Sequence, residues 1–201
     1  IELLYDKALY EEANKTLHRA KRIARENERF YYWFELLNWE KQLLEEAYES
    51  GEFTKDLDAL IEEERDVIEK LRNLAAYHIL YSKINYVFRS GGYVRTEEEH
   101  AMVEEISEHP LIKGKNTALS KRAATICYYT QGFCQWAKRD WRLSLEKFAR
   151  VRQILDEHKQ LKADLPKRYV RALQYIVQCQ IELGEFKEAR ENIRLMRQLN
   201  T

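Results

Sequence analysis

The chain has 201 residues, enough for one domain or one continuous array, and 45% of them are apolar, an ordinary share for a folded protein. Its 34 basic residues balance 34 acidic ones, so no global field draws it to nucleic acid or to an anionic membrane. Only six glycines and two prolines punctuate a chain that is 34% charged, which describes long helices wet on one side, and no run of about 18 apolar residues is present to span a membrane.

Leu4, Ala8, Ala13, Leu17, Ala20 and Ala24 recur at close to helical spacing and predict one helix over 3–26. Opposite charges between them can pair at i,i+4 on its wet face. A turn at Glu26-Asn27-Glu28 leads to a second helix over 29–49. That helix opens Phe30-Tyr31-Tyr32-Trp33-Phe34 and is apolar nearly all round, the mark of a helix enclosed on several sides. Gly51 stops it, and a third helix over 54–72 carries Leu57, Leu60, Ile61, Val67, Ile68 and Leu71. Its Glu62-Glu63-Glu64 run reads as a solvated face. A fourth helix over 74–89, with Leu74, Tyr77, Tyr81, Ile84, Val87 and Phe88, breaks at Ser90-Gly91-Gly92.

Thr96 and Glu99 are spaced as a capping box for a fifth helix, which must stop before Pro110 because the residue ahead of a proline avoids helix. Residues 109–116 are then the longest expected loop. A sixth helix over 117–138 and a seventh over 141–159 follow. The eighth starts near Pro166, tolerated in a first turn, and Gly184 ends it before a ninth over 186–199. No stretch alternates with a period of two, so about nine helices and no sheet are expected. Cys127, Cys134 and Cys179 are an odd number without framework spacing, which reads as buried free thiols in a reducing, cytoplasmic compartment.

One local arrangement recurs. A turn carries an aromatic residue, and three positions later a small or short residue opens a helix. This holds for Gly184-Glu185-Phe186 with Ala189, for Asp140-Trp141 with Ser144, for Gly91-Gly92-Tyr93 with Thr96, for Gly51-Glu52-Phe53 with Asp56, and for Tyr5-Asp6-Lys7-Ala8. The aromatics Tyr5, Phe53, Tyr93, Trp141 and Phe186 fall 48, 40, 48 and 45 residues apart, a period that marks a repeat array.

Read through Leu183-Gly184-Glu185-Phe186-Lys187-Glu188-Ala189, its best copy, the chain resembles the tetratricopeptide repeat family over most of its length. The spacing exceeds that family's usual 34 residues, and Thr96 and Asp56 replace its small alanine. The resemblance implies an all-α, right-handed solenoid of stacked antiparallel helix pairs, four of them after an incomplete first repeat at 1–26. Because the chain opens at Ile1 partway through a repeat, a fragment of a longer protein is expected. The resemblance also implies that first helices line a concave groove for a peptide. Carried over position by position, that groove comprises Asn38, Lys41 and Glu45, then His78, Tyr81, Asn85 and Arg89, then Thr130 and Lys138, then Arg171, Gln174 and Gln178. In the third pair the phase is open by one residue, since Gly132 at the crossing point would put Gln131 and Gln135 inside.

Chemistry is thinly signalled. Glu97-x-x-His100 is half of a bundle di-iron pattern whose second copy is missing, and no cysteine or histidine pairing completes a zinc set. No nucleophile sits in a motif with a base, no Gly-x-x-x-x-Gly-Lys is present, and no cofactor is implied. Lys138, Arg139 and Arg142 beside Trp136 and Trp141 imitate a nucleic-acid surface, but Trp141 already has the turn to explain it. The expectation is a non-catalytic scaffold for a protein or peptide partner, with homo-oligomerisation open. The alternatives are a peptide-sensing regulatory part of a larger signalling or transcription-regulatory protein, and an RNA-binding helical repeat.

Overall fold

A computed structural model describes residues 1–49, 57–89 and 94–199, with side chains left out at 47–49, 89 and 199. The turns at Gly51-Glu52-Phe53-Asp56 and Gly91-Gly92-Tyr93, and the Arg89 side chain, therefore lie outside the described residues. Among the described residues every element is helical, with no strand. Eleven helices are described rather than about nine: α1 Glu2–Tyr5, α2 Tyr10–Glu26, α3 Phe30–Glu49, α4 Leu57–Arg89, α5 Glu97–Glu108, α6 Pro110–Lys113, α7 Lys121–Ala137, α8 Trp141–Glu157, α9 Lys159–Asp164, α10 Pro166–Glu182 and α11 Phe186–Leu199. None of these helices is long and apolar enough to cross a membrane.

The count differs for local reasons. The expected helix over 3–26 divides because Ala8 takes a positive φ of 55°, where an α-helix cannot continue. The expected helices over 54–72 and 74–89 are one. Arg72-Asn73-Leu74 holds no glycine or proline, and the Asn73 amide that could have capped a helix is engaged elsewhere: its Nδ2 donates to the Thr117 carbonyl and its Oδ1 accepts from the Leu119 amide, both at 3.0 Å. The supposed loop at 109–116 contains α6, started by Pro110 and by His109, whose Nδ1 accepts from the Leu111 amide. The short α9 turns the chain between α8 and α10 and buries Leu161.

The chain forms two compact units, residues 1–72 and 73–201, with α4 passing through the boundary. In the first unit α2 packs on α3, with Ala13, Leu17 and Leu43 at the centre of a small apolar cluster. In the second, α7 packs on α8, α8 on α10 and α10 on α11, each against the next, while α5 and α6 pack on α7. Tyr129, Phe133, Phe148 and Tyr175 supply the middle of its core, with ring centroids 4.9 to 5.9 Å apart.

One turn geometry recurs in both units. At Ala8, Glu28, Arg139 and Gly184 the backbone has positive φ, and the residue after each donates back five positions, to the carbonyls of Leu4, Ala24, Gln135 and Gln180 at 2.8 to 3.0 Å. Each positive-φ residue also donates back three positions, so all four are Schellman caps. In all four the next helix starts two residues later. In three of them a buried small residue follows five positions after the cap, at Ala13, Ser144 and Ala189. The aromatic equivalent to Trp141 and Phe186 in the first unit is therefore Tyr10, not Tyr5, and the fourth copy, at Glu28, places Trp33 at the small-residue position.

The aromatic at this turn is no uniform wedge. Trp141 meets Trp136 edge to face at 5.0 Å, whereas Phe186 is 59% exposed. The small residue does the closing. A Cβ at Gly132 on α7 would come within 2.8 Å of the Phe148 ring on α8, and the buried Ser144 hydroxyl donates to the Gly132 carbonyl at 3.0 Å. Gly132 is thus the crossing point of the third pair.

Candidate functional site

With Gly132 at the crossing, the one-residue phase of α7 resolves, and it moves the expected groove residues. Thr130 is fully buried in the core and lines no groove, which corrects that assignment. Gln131 is half-buried, and its Nε2 donates to the Ile112 carbonyl at 2.6 Å. Lys138 lies past the last turn of α7 as its C-cap, bonded to Glu104 at 2.9 Å and to Ser107 at 3.3 Å. In the first unit Asn38 and Glu45 are exposed on α3, whereas Lys41 is held by Glu64 at 2.7 Å.

Two expected residues from different helices do come together. Tyr81 of α4 and Arg171 of α10 line one cavity of about 460 Å³ with Tyr129 of α7 and with Asp164, Lys167 and Arg168 at the start of α10. Tyr81 meets Tyr129 edge to face, ring centroids 5.7 Å apart. His78, one turn before Tyr81, remains partly open to solvent on the same helix. Asn85 continues that face of α4, and Gln174 and Gln178 continue the exposed face of α10 beyond Arg171.

The electrostatics of this cavity are one-sided. Its carboxylate, Asp164, binds Arg122 at 2.8 Å, and both side chains are nearly buried. Arg168 is half-buried, and its guanidinium donates to the Thr125 hydroxyl at 3.0 Å. Among the described residues neither Arg168, Arg171 nor Lys167 forms an ion pair with a carboxylate. Burial pushes the Arg168 guanidinium below its ordinary pKa. Burial, and then the positive fields of Arg168 and Arg122, likewise hold the His78 imidazole below its ordinary value. Burial raises the Tyr129 phenol, with the neighbouring Tyr175 and Tyr81 adding to the effect, so it stays a neutral donor.

Arg168, Lys167 and Tyr129 escaped the sequence reading. The signal was present, because Arg168 and Arg171 lie three apart and share one face of α10. A groove register counted from the glutamines skipped the first of them. Tyr129 was missed because neither phase of α7 puts it on the groove face, and it is nearly buried.

The other chemical candidates take structural roles. Burial raises the Cys134 thiol to about 12 and the Cys179 thiol to about 11, and it raises Cys127 as well, so all three free cysteines stay protonated near neutral pH. His109 caps α6. Glu99 completes the capping box at Thr96 rather than aiming at a ligand. In the basic cluster near the third turn, Lys138 pairs with Glu104 at 2.9 Å and Arg142 with Glu185 at 2.6 Å, while the Arg139 backbone forms the positive-φ cap. Among the described residues no three His, Cys, Asp or Glu side chains gather as a metal set. No protein-family model matches this chain, and no curated protein and no solved structure matches it.

Proposed function

We propose that the chain is a non-catalytic protein–protein interaction module of the tetratricopeptide type, a right-handed solenoid of helix pairs that receives a polypeptide segment along the exposed faces of its first helices. The observation that carries the reading is the repeated Schellman turn followed, five residues on, by a buried small residue at Ala13, Ser144 and Ala189. Such a turn sets consecutive helices antiparallel and close, so that each pair buries its apolar side against the next. The consecutive packing of α7, α8, α10 and α11 agrees with it. Tyr81, Asn85, Arg171, Gln174 and Gln178 then offer amides, a phenol and a cation to the backbone and side chains of an extended segment. The expected compartment is the cytoplasm, where three free thiols persist.

The test uses a peptide array probed with the wild-type chain beside an Asn85/Gln174/Gln178 triple alanine variant of matched thermal stability. Peptides bound by the wild type and lost from the variant support the groove. Equal retention moves binding off these helices.

A further inference from the structure

We propose that the cavity lined by Tyr81, Tyr129, Arg168 and Arg171 binds the phosphate monoester of a phosphorylated residue in the captured polypeptide. The identity of the carrier rests on the interaction reading above; the phosphate chemistry rests on the cavity alone.

The first argument is charge. Lys167, Arg168 and Arg171 bring three positive charges to one cavity of about 460 Å³. The one carboxylate lining it is already bound by Arg122. A half-buried arginine that donates to a neutral hydroxyl and faces no anion is costly in a folded chain, because its lost hydration goes unreplaced. A ligand anion replaces that hydration. Burial first, and then the positive fields of Arg168 and Arg122, keep the neighbouring His78 imidazole below its ordinary pKa.

The second argument is donor number. A guanidinium offers its N–H groups as a planar fork, which matches two oxygens of a tetrahedral phosphate, and the two arginines present two such forks. The phenols of Tyr81 and Tyr129 make no hydrogen bond to other described residues and add neutral O–H donors to the same cavity. A monoanionic carboxylate would leave two of the three positive charges uncompensated, whereas a phosphate close to dianionic at neutral pH leaves only one.

The experiment compares three forms of one degenerate peptide array whose central residue is phosphoserine, serine or glutamate. It is probed with the wild type, with Arg168→Gln and with Arg171→Gln. In parallel, thermal melts are recorded in inorganic phosphate and in chloride at equal ionic strength. Wild type should retain phosphoserine spots roughly tenfold or more over glutamate and serine spots, and both variants should lose that preference. Inorganic phosphate should raise the wild-type melting temperature and leave Arg168→Gln unmoved. Arg171 is exposed, so its variant keeps the test valid even if the Arg168 change perturbs folding.

Equal binding of the phosphoserine and glutamate forms overturns the proposal, as does a preference that survives both substitutions. Peptides held without regard to phosphorylation, and lost only in the Asn85/Gln174/Gln178 variant, would sink the phosphate site and leave the groove standing. Melting shifts in inorganic phosphate with no peptide captured would overturn the phosphorylated polypeptide as carrier.

Discussion

In the unit of residues 73–201 the helices meet around aromatic rings, with Phe148 stacked on Tyr175 at 5.0 Å and touching Tyr129, Phe133 and Trp136 edge to face. In the unit of residues 1–72 the apolar cluster is small, and a lysine does the joining. Lys21 of α2 reaches Glu40 of α3 at 2.5 Å and Glu63 of α4 at 2.7 Å, and Glu63 also accepts from the Trp33 indole at 2.8 Å. The Lys21 side chain is 14% exposed and that of Glu40 7%. The two solutions fail differently. Ring packing spreads its energy over many weak contacts, so no single one of them decides it. A buried ion triad depends on every member, because removing one strands the others without water or a partner.

The largest expected effect tests the aromatic side. Phe148→Ala removes a fully buried ring and should cost about 3–5 kcal/mol in denaturant unfolding. Hydrogen exchange should show the loss concentrated on α7, α8 and α10. A cost under about 1 kcal/mol would mean that Phe148 is not the keystone of that core.

Next comes Lys21→Met, which keeps the apolar stem and deletes the charge. It should cost about 3 kcal/mol, less than the extreme for a sealed pair because Glu63 retains a quarter of its exposure. Adding Glu40→Gln and Glu63→Gln to the same chain should restore much of that stability. If the triple variant is no better than Lys21→Met alone, charge is not what holds α2, α3 and α4 together.

A smaller and opposite effect probes what the two units share. Arg139 and Ala8 both sit at positive φ, a conformation that costs a residue with a Cβ about 1 kcal/mol and glycine almost nothing. Arg139→Gly and Ala8→Gly should each stabilise by about 0.5–1 kcal/mol, read as a raised urea midpoint. A loss at one site and a gain at the other would show that the turns only look alike.

Phe186→Ala should change stability by about 0.5 kcal/mol or less, since the ring is mostly exposed. A wedge buried between helices would instead cost about 3–5 kcal/mol, so thermal melts separate the two cleanly. The last effect is a slope. His78 in the folded chain binds its proton at lower pH than the unfolded chain, whose imidazole titrates near 6.5. Its contribution is therefore fully present above that value and is lost as pH falls below it through the lower folded-state pKa. His78→Gln should flatten the acid side of a stability–pH curve, and an unchanged curve would mean that folding does not hold the His78 imidazole below its ordinary value.

Much of the helical content was legible in the residues themselves. Apolar spacing near 3.6 located the bodies of α3, α5, α7, α8, α10 and α11, and the Thr96–Glu99 spacing announced its own capping box. These are local effects, decided within a few residues of the chain. Gly184 could be read as a turn because glycine accepts positive φ freely. Ala8 and Arg139 adopt the same conformation with no glycine to announce it. The continuation of α4 past Asn73 was equally hidden, because the partner that occupies the Asn73 amide lies more than forty residues further on.

What the sequence determined alone is the class of element, the charge balance and the existence of a repeated turn, all of which depend on neighbours along the chain. What only the tertiary structure decided is which residues share a surface. Thr130 went to the core because the Phe148 ring packs against Gly132 across the α7–α8 crossing, and that contact fixes which face of α7 is buried. Arg168 became a candidate site only when folding placed it beside Tyr81 and gave Asp164 to Arg122. A helix face follows from periodicity, but the partner that covers it, or leaves it uncovered, is set by contacts remote in sequence.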